Sequence, residues 1–217
     1  MESIRYKHGF TLVEMLIVMA IIALLATMVI GIASQLDSQS KQRLAGSTMA
    51  ILAAALEEFK DYGYNYGPAY SNFDFPLDCS GFPVDVLEAT LSSALGAASV
   101  EITNHDTAEC LKYSGSEILY FFLSRVPESR KTLDKIDGSL VTNVNNVGAR
   151  IEISIGGGPF SPLLRLTDPW GTTLRYDYYD ESELDPILRE KGKRTFPVIV
   201  SAGPDRKFGT TDDMSSR

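Results

Sequence analysis

Apolar residues are most concentrated near the start of the chain. Between Met15 and Ala33 there is no charged residue and no proline, and only Thr27 and Gly31 interrupt the apolar character. A helix of these nineteen residues is about 28 Å long at about 1.5 Å per residue, which is close to the thickness of the hydrocarbon core of a bilayer. The pattern therefore predicts a transmembrane helix over residues 10–33.

Beyond this run the apolar residues become sparser, but they keep a helical spacing. No proline occurs before Pro68, and several alanines in this region favour a helix. The apolar residues that recur every three to five positions are Leu44, Met49, Leu52, Leu56 and Phe59. We therefore predict one helix from about residue 11 to residue 60. Within it, residues 34–62 form an amphipathic stem that places its apolar stripe against a sheet.

The remaining residues, 63–217, are expected to form one globular domain. Helical periodicity is present over residues 84–98 and again over residues 116–126, where Ser116 is a candidate cap. The predicted strands are residues 149–155, 174–178 and 196–202. These patterns indicate an α+β fold, in which a long N-terminal helix packs on a small antiparallel sheet. A helical insertion of unassigned role occupies about residues 68–148.

The charge of the chain is carried by the part after the apolar run. Only two of the 20 Lys and Arg residues and two of the 28 Asp and Glu residues precede Asp37, so the later part carries the whole net charge of −8. An acidic domain is a poor binder of nucleic acid, because phosphate groups need clustered Lys and Arg. Adhesion to an anionic membrane surface is disfavoured for the same reason.

The sequence contains no motif that indicates an enzyme. The chain lacks GxSxG, HExxH and Walker motifs, and its two histidines, His8 and His105, lie far apart in different contexts. We therefore expect no catalytic residues, and a membrane-tethered enzyme or binding protein is the less favoured alternative. The two cysteines, Cys79 and Cys110, lack the spacing of a zinc site and are compatible with either one disulfide or two free thiols.

A short motif precedes the apolar run. Residues 9–14 are Gly-Phe-Thr-Leu-Val-Glu, and two basic residues just before them favour a cytoplasmic N-terminus. This motif resembles the class III signal of type IV prepilins and type II secretion pseudopilins. The resemblance implies that residues 1–9 are a leader and that prepilin peptidase cleaves between Gly9 and Phe10. It also implies that the new N-terminal Phe10 is then methylated.

Glu14 is the one acidic residue at the edge of the apolar run, and in the resembling family this position is the fifth of the mature chain. A charge inside the bilayer is costly, so a partner is expected. The methylated N-terminal amine of a neighbouring subunit, shifted along a filament axis, would provide one. The alternative is a carboxylate that simply reaches the lipid headgroups. Many family members have proline where this chain has Gly31, which leaves the local helix geometry open.

A second resemblance lies in the last fifty residues. The chain has Asp-Pro-Trp-Gly at residues 168–171, Ser-Ala-Gly-Pro-Asp at residues 201–205 and Gly-Thr-Thr-Asp-Asp at residues 209–213. This order is similar to that of the major pseudopilin of type II secretion, whose C-terminal loop binds calcium. The resemblance implies a calcium site formed by Asp205, Asp212 and Asp213, which are oxygen ligands of the type that calcium prefers. Arg206 departs from the family, which often has glycine there, and the alternative is a solvated acidic tail.

These resemblances together imply a structural subunit of a pseudopilus, which assembles by helix packing to drive protein secretion. The expected partners are further copies of the chain in a filament, minor pseudopilins, an inner-membrane assembly platform and prepilin peptidase, and no nucleic acid. The expected location is the inner membrane, crossed once, with the C-terminal domain in the periplasm. The nearest alternative is a type IV pilin or a minor pilin or pseudopilin. Pilins usually carry a C-terminal disulfide loop, whereas both cysteines here lie in mid-chain.

Overall fold

The structure is a computed structural model that describes residues 11–66, 70, 73–178 and 196–216; for residues 28–36 it describes the backbone only. The chain divides into two compact units, Met1–Lys41 and Gln42–Arg217. Helix α1, Leu12–Tyr62, contributes residues to both units, and each unit is described by itself.

The long helix predicted over residues 11–60 is confirmed as α1. It ends where Gly63 adopts a positive φ of 64° and donates its N–H to the Lys60 carbonyl at 3.0 Å. Because glycine has no Cβ, it enters this left-handed conformation at little cost, which explains why the helix stops there.

The apolar stripe of α1 is part of the core of the second unit. Its buried members include Met49, Leu52, Leu56 and Phe59, as the spacing predicted. A short helix, α4 (Pro127–Leu133), is joined to this part of α1 by side-chain hydrogen bonds. The Ser129 hydroxyl donates to the Ala55 carbonyl at 2.9 Å, and the Thr132 hydroxyl donates to the Glu58 carboxylate at 3.0 Å.

The strands of the described residues form three small antiparallel sheets. The first has the order β1-β3-β4, made of Val100–Thr103, Glu152–Ile155 and Ser161–Pro162. The second pairs β2 with β5, which are Val141–Thr142 and Arg165–Leu166. The third has the order β6-β7-β8, made of Arg175–Asp177, Val198–Ser201 and Met214–Ser215. The α+β class is confirmed, and the single predicted sheet is replaced by three small ones.

The mid-chain insertion contains helices, as predicted, together with the strands β1 and β2, and one helix boundary was predicted wrongly. Helix α2, Val84–Leu95, ends at Gly96 in the left-handed conformation, within the predicted range. Helix α3, Thr107–Leu123, starts nine residues before the predicted cap, because the Asp106 side chain accepts the Glu109 N–H and caps it there. Ser116 is buried inside α3, where its hydroxyl accepts the Leu166 N–H at 3.0 Å.

The two cysteines are free thiols, so the disulfide that the sequence allowed is not formed in this structure. Cys79 precedes α2, Cys110 lies in the first turns of α3, and both side chains are buried. Burial raises the pKa of the Cys79 thiol well above its usual value and raises the pKa of Cys110 to about 12. Both groups are therefore neutral and poorly nucleophilic in the folded protein.

Candidate functional site

The predicted processing site, Gly9 and Phe10, lies outside the described residues, which begin at Thr11. Thr11 and Glu14 together cap the start of α1. The Glu14 carboxylate accepts hydrogen bonds from the Thr11 N–H and the Thr11 hydroxyl, both at 2.8 Å. In return the Glu14 N–H donates to the Thr11 hydroxyl oxygen at 3.2 Å. This reciprocal arrangement is a capping box, and it satisfies donors that a helix N-terminus otherwise leaves without partners.

The fourteen residues Leu12–Leu25, all apolar except Glu14, form an exposed surface that is called here the apolar segment. Its large side chains are 43–81% exposed: Leu12, Val13, Met15, Leu16, Ile17, Val18, Met19, Ile21, Ile22, Leu24 and Leu25. These residues follow one another without the polar face of an ordinary surface helix. A helix that is apolar on all sides is stable only when another apolar phase or protein covers it.

Within the part of the chain that the structure describes, no helix is both long and apolar enough to cross a membrane. The transmembrane helix predicted over residues 10–33 includes residue 10 and the side chains of residues 28–33, which lie outside that description.

The three aspartates predicted to bind calcium lie on one exposed C-terminal loop. Asp205 and Asp212 are brought together, because the Asp205 N–H donates to the Asp212 carboxylate at 3.0 Å. The Thr210 hydroxyl donates to Asp212 at 2.6 Å and to Asp213 at 3.4 Å. These donors, the Thr210 hydroxyl first, hold the pKa of Asp212 below its usual value. The backbone of Asp212 also approaches Gly203 so closely that a Cβ there would overlap it.

The carboxylates of this loop accept hydrogen bonds from the loop itself. Asp205 accepts the Lys207 N–H at 2.8 Å, and Asp213 accepts the Gly209 N–H at 2.7 Å. Among the described residues, no group of three or more His, Cys, Asp or Glu side chains is arranged to hold a metal ion. The oxygen donors suit calcium, and the loop in this structure is ordered by its own N–H and hydroxyl groups.

A buried polar cluster, which the sequence did not indicate, links α3 to its neighbours. The His105 ring nitrogen Nε2 lies 2.9 Å from Glu117, and Arg165 lies 3.5 Å from the other oxygen of that carboxylate. The Arg165 guanidinium also lies 3.9 Å from the centre of the Tyr113 ring. His105 and Glu117 are fully enclosed, so the cluster is closed to substrates and connects α3 with β5.

One comparison with known proteins bears on this arrangement. Residues 4–30 match the family model described as the prokaryotic N-terminal methylation motif. This chain carries a prokaryotic N-terminal methylation motif. The motif supports a type IV pilin-like precursor that is processed by prepilin peptidase, and it does not separate a pilus from a pseudopilus. No curated protein and no solved structure matches the chain.

The methylation motif covers both the predicted cleavage site and the capping box of α1. It includes Gly9, Phe10 and Glu14, whose roles in cleavage, methylation and pairing stay predictions. The role of Thr11 was missed in the sequence, although Thr-x-x-Glu before an apolar run is the usual pattern of a capping box. The C-terminal loop lies outside the match.

Proposed function

We propose that the chain is the precursor of a pseudopilus subunit, and that its assembly into a filament by helix packing drives protein secretion. The observation that carries the proposal is the exposed apolar segment, Leu12–Leu25, placed within the methylation motif. Such a surface is stable only when apolar groups surround it. In the proposal these are lipid chains before assembly and neighbouring copies after it. This function requires no catalysis, so we propose no catalytic residues.

Processing prepares the segment for assembly. Prepilin peptidase hydrolyses the peptide bond between Gly9 and Phe10, which removes the nine-residue leader, and the amine of Phe10 receives a methyl group. The methylated amine keeps its positive charge, as methylated lysine does. In the proposed precursor, residues 10–33 cross the inner membrane once and residues 63–217 lie in the periplasm.

In this proposal, Glu14 sets how far one subunit is shifted along the filament axis relative to the next. Among the described residues, the Glu14 carboxylate accepts hydrogen bonds from Thr11, and both of these bonds use one of its two oxygens, Oε2. In the proposed filament, the other oxygen accepts from the cationic N-terminus of a neighbouring copy. Because an unpaired charge in an apolar environment is costly, the pair favours packing in which one copy is shifted along the axis of the next.

Two observations favour a pseudopilin over a type IV pilin. The cysteines lie in mid-chain as buried free thiols, so they do not form the C-terminal disulfide loop usual in pilins. The C-terminal loop instead carries three aspartates in one hydrogen-bonded network. Minor pseudopilins and an inner-membrane assembly platform are the further partners that a pseudopilus requires.

Calcium binding to the C-terminal loop is the second part of the proposal. Asp205, Asp212 and Asp213 would hold the ion together with backbone carbonyls, after their carboxylates turn away from the loop N–H groups. When the free concentration of an ion is 100 times its Kd, binding stabilises the folded state by about 2.7 kcal/mol. For a domain of this size that corresponds to a rise in Tm of about 5–10 °C.

The calcium proposal is tested by thermal unfolding of the full chain in a nonionic detergent. Removing calcium with a chelator should lower the Tm by several degrees, and calcium, unlike magnesium, should restore it. Asp213→Asn should weaken the effect. A melting curve that does not change on calcium removal would discard the metal site and leave the filament proposal intact.

Assembly is tested in cells that contain prepilin peptidase, by cross-linking through a single exposed cysteine, Leu16→Cys, in the apolar segment. The native thiols are buried, so they are not expected to react with the cross-linker. We expect cross-linked dimers, the largest product that one reactive thiol per chain allows, in processed protein and none in the matched control, where Leu16→Cys is combined with Gly9→Leu to block cleavage. Monomers alone in both backgrounds would reject the filament. Loss of protein secretion on gene deletion, with surface pili intact, would distinguish a pseudopilus from a pilus.

A further inference from the structure

A cleft of about 540 Å³ lies in the second unit beside the C-terminal loop. Its walls come from α3, from the turn that precedes β6 and from the loop after β7. The side chains used below are Lys112, Tyr113, Leu174, Arg175, Arg206 and Phe208. We call this the basic cleft. Its volume lies in the range of protein sites that bind small ligands or single side chains of a partner.

The basic cleft is a local exception to the charge of the chain. Three cationic side chains line it, while the whole chain has a net charge of −8. Arg175 is paired with Asp177 at 3.0 Å. Lys112 and Arg206 are exposed, and their side chains form no ion pair or hydrogen bond with any residue that the structure describes. Two positive charges at one opening therefore remain to attract an anion.

Apolar and aromatic surfaces lie beside these charges. Leu174 is buried in the wall of the cleft, and Phe208 is partly exposed with the Arg175 guanidinium 5.3 Å from its ring centre. One face of Tyr113 is already covered by the buried Arg165. A cleft of this kind suits a ligand that combines a negative group with an apolar part, because the cations fix the charge and the rings bury the rest.

The conformation of Arg206 provides independent support. Arg206 has a φ of 60°, in the left-handed region where glycine is favoured and long side chains are uncommon. The chain therefore places an arginine, with its charge at the cleft, where glycine would fit the backbone at lower cost. Such an exception in a loop is evidence of a role for the side chain.

The negative net charge of the chain disfavours ligands that carry many negative charges. A polyanion such as nucleic acid, or an anionic membrane surface, presents many charges and is repelled by an acidic domain beyond the reach of one cleft. A single carboxylate on a peptide of low charge meets only the local field. We propose that the basic cleft binds an aspartate or glutamate side chain of a partner polypeptide, with an adjacent aromatic residue against Phe208. This inference does not depend on the proposed function.

The test measures binding of a defined peptide to the full chain in a nonionic detergent, by calorimetry. The probe is acetyl-Gly-Glu-Phe-Glu-Gly-amide, and the matched peptide replaces both glutamates with glutamine. We expect saturable binding of the glutamate peptide that weakens as salt rises, and at least tenfold weaker binding of the glutamine peptide. Free glutarate should bind at least tenfold more weakly than the glutamate peptide.

Variants locate the binding. The double reversal Lys112→Glu with Arg206→Glu should weaken binding at least tenfold. The control reversal Lys131→Glu with Lys135→Glu, which changes the net charge equally away from the cleft lining, should leave binding near that of the unmodified chain. Arg206→Gly should weaken binding at least threefold. Its Tm should be unchanged or higher, because glycine suits the backbone conformation there. This variant therefore keeps the test valid if the double reversal does not fold.

Three results would overturn the inference. The first is no saturable binding of the glutamate peptide, or equal binding of the glutamine peptide. The second is unchanged binding in folded variants of Lys112 and Arg206. The third is glutarate binding as tightly as the peptide, which would identify a site for small carboxylates instead of a polypeptide site. None of these results bears on cleavage at Gly9, so failure here is distinct from failure of the filament proposal.

Discussion

At Glu14, one carboxylate caps its own helix and, in the proposed filament, also pairs with the amine of a neighbour. Substitutions separate the two roles. Glu14→Ala removes both, Glu14→Gln keeps an oxygen that can accept from Thr11 but removes the charge, and Thr11→Ala removes the hydroxyl but keeps the charge. If charge pairing directs assembly, the two Glu14 variants should behave alike.

We expect the Glu14→Ala and Glu14→Gln variants to insert into the membrane as the unmodified chain does. Their yield of assembled filaments should be at least about tenfold lower. Leaving one member of a buried pair without its partner costs about 3–5 kcal/mol. Thr11→Ala should weaken the helix start by only about 1 kcal/mol and assemble nearly as the unmodified chain does. Membrane fractionation measures insertion, and the yield of dimers cross-linked through Leu16→Cys measures assembly. Normal filaments in Glu14→Gln would reject the pairing.

The cysteines provide a prediction on the alkaline side of the pH range. At pH 8 a thiol with a pKa of about 12 is ionised to only about one part in ten thousand, so Cys110 should react very slowly with iodoacetamide in the folded chain. Both cysteines should label rapidly in urea. Because their native pKa values are raised, the stability that their burial contributes is complete below the unfolded thiol pKa and declines as the pH rises above it. Rapid labelling without denaturant, or a disulfide in the mass spectrum, would contradict the observed thiols.

At the scale of elements, the stem part of α1 is held by its buried stripe. Leu52 has no exposed surface, so Leu52→Ala should lower the free energy of unfolding by about 2–5 kcal/mol. Leu111 lies on α3 and is 45% exposed, which makes Leu111→Ala the control, with an expected change within about 0.5 kcal/mol. Urea unfolding of the full chain in a nonionic detergent measures both. Equal stability of the two variants would show that the stripe is not part of the core.

Helices were easier to predict from this sequence than sheets or boundaries. The period of the apolar residues defined α1, because every stripe residue faces one side of one continuous helix. The start of α3 was missed because Ser114, Gly115 and Ser116 resemble a break, whereas in the fold they lie against other chain segments. Ser114 donates its hydroxyl to the Cys79 carbonyl, a contact between residues far apart in sequence. Such contacts are set by tertiary packing, which local periodicity does not record.

The candidate sites differ in the same way. The motif at residues 9–14 is local, so it could be read from the sequence alone, and it lies within the region that matches the methylation motif. The cleavage site and the role of Glu14 stay predictions. The three aspartates of the C-terminal loop could also be read from the sequence, and their role as calcium ligands stays a prediction. Their hydrogen bonds to Gly209, Thr210 and Lys207 follow from the loop's conformation. The basic cleft joins α3 with two later segments, and no single stretch of sequence contains it.

At the scale of the whole molecule, the chain combines an exposed apolar segment with an acidic globular unit. The apolar segment, Leu12–Leu25, is exposed, while the net charge of −8 is carried almost entirely after Asp37. The charge favours solubility of the globular unit and opposes nonspecific association of its copies. Assembly is therefore expected to be directed by the N-terminal helix, once its leader has been removed.

The measurement that tests this account most directly is the intact mass of the protein extracted from membranes of cells that contain the peptidase. We predict a chain that begins at Phe10, lacking residues 1–9 and carrying one additional methyl group on its N-terminal amine. Fragmentation should place that methyl group on the first residue. A mature chain that still begins at Met1, or one that begins beyond Ala33, would contradict the account.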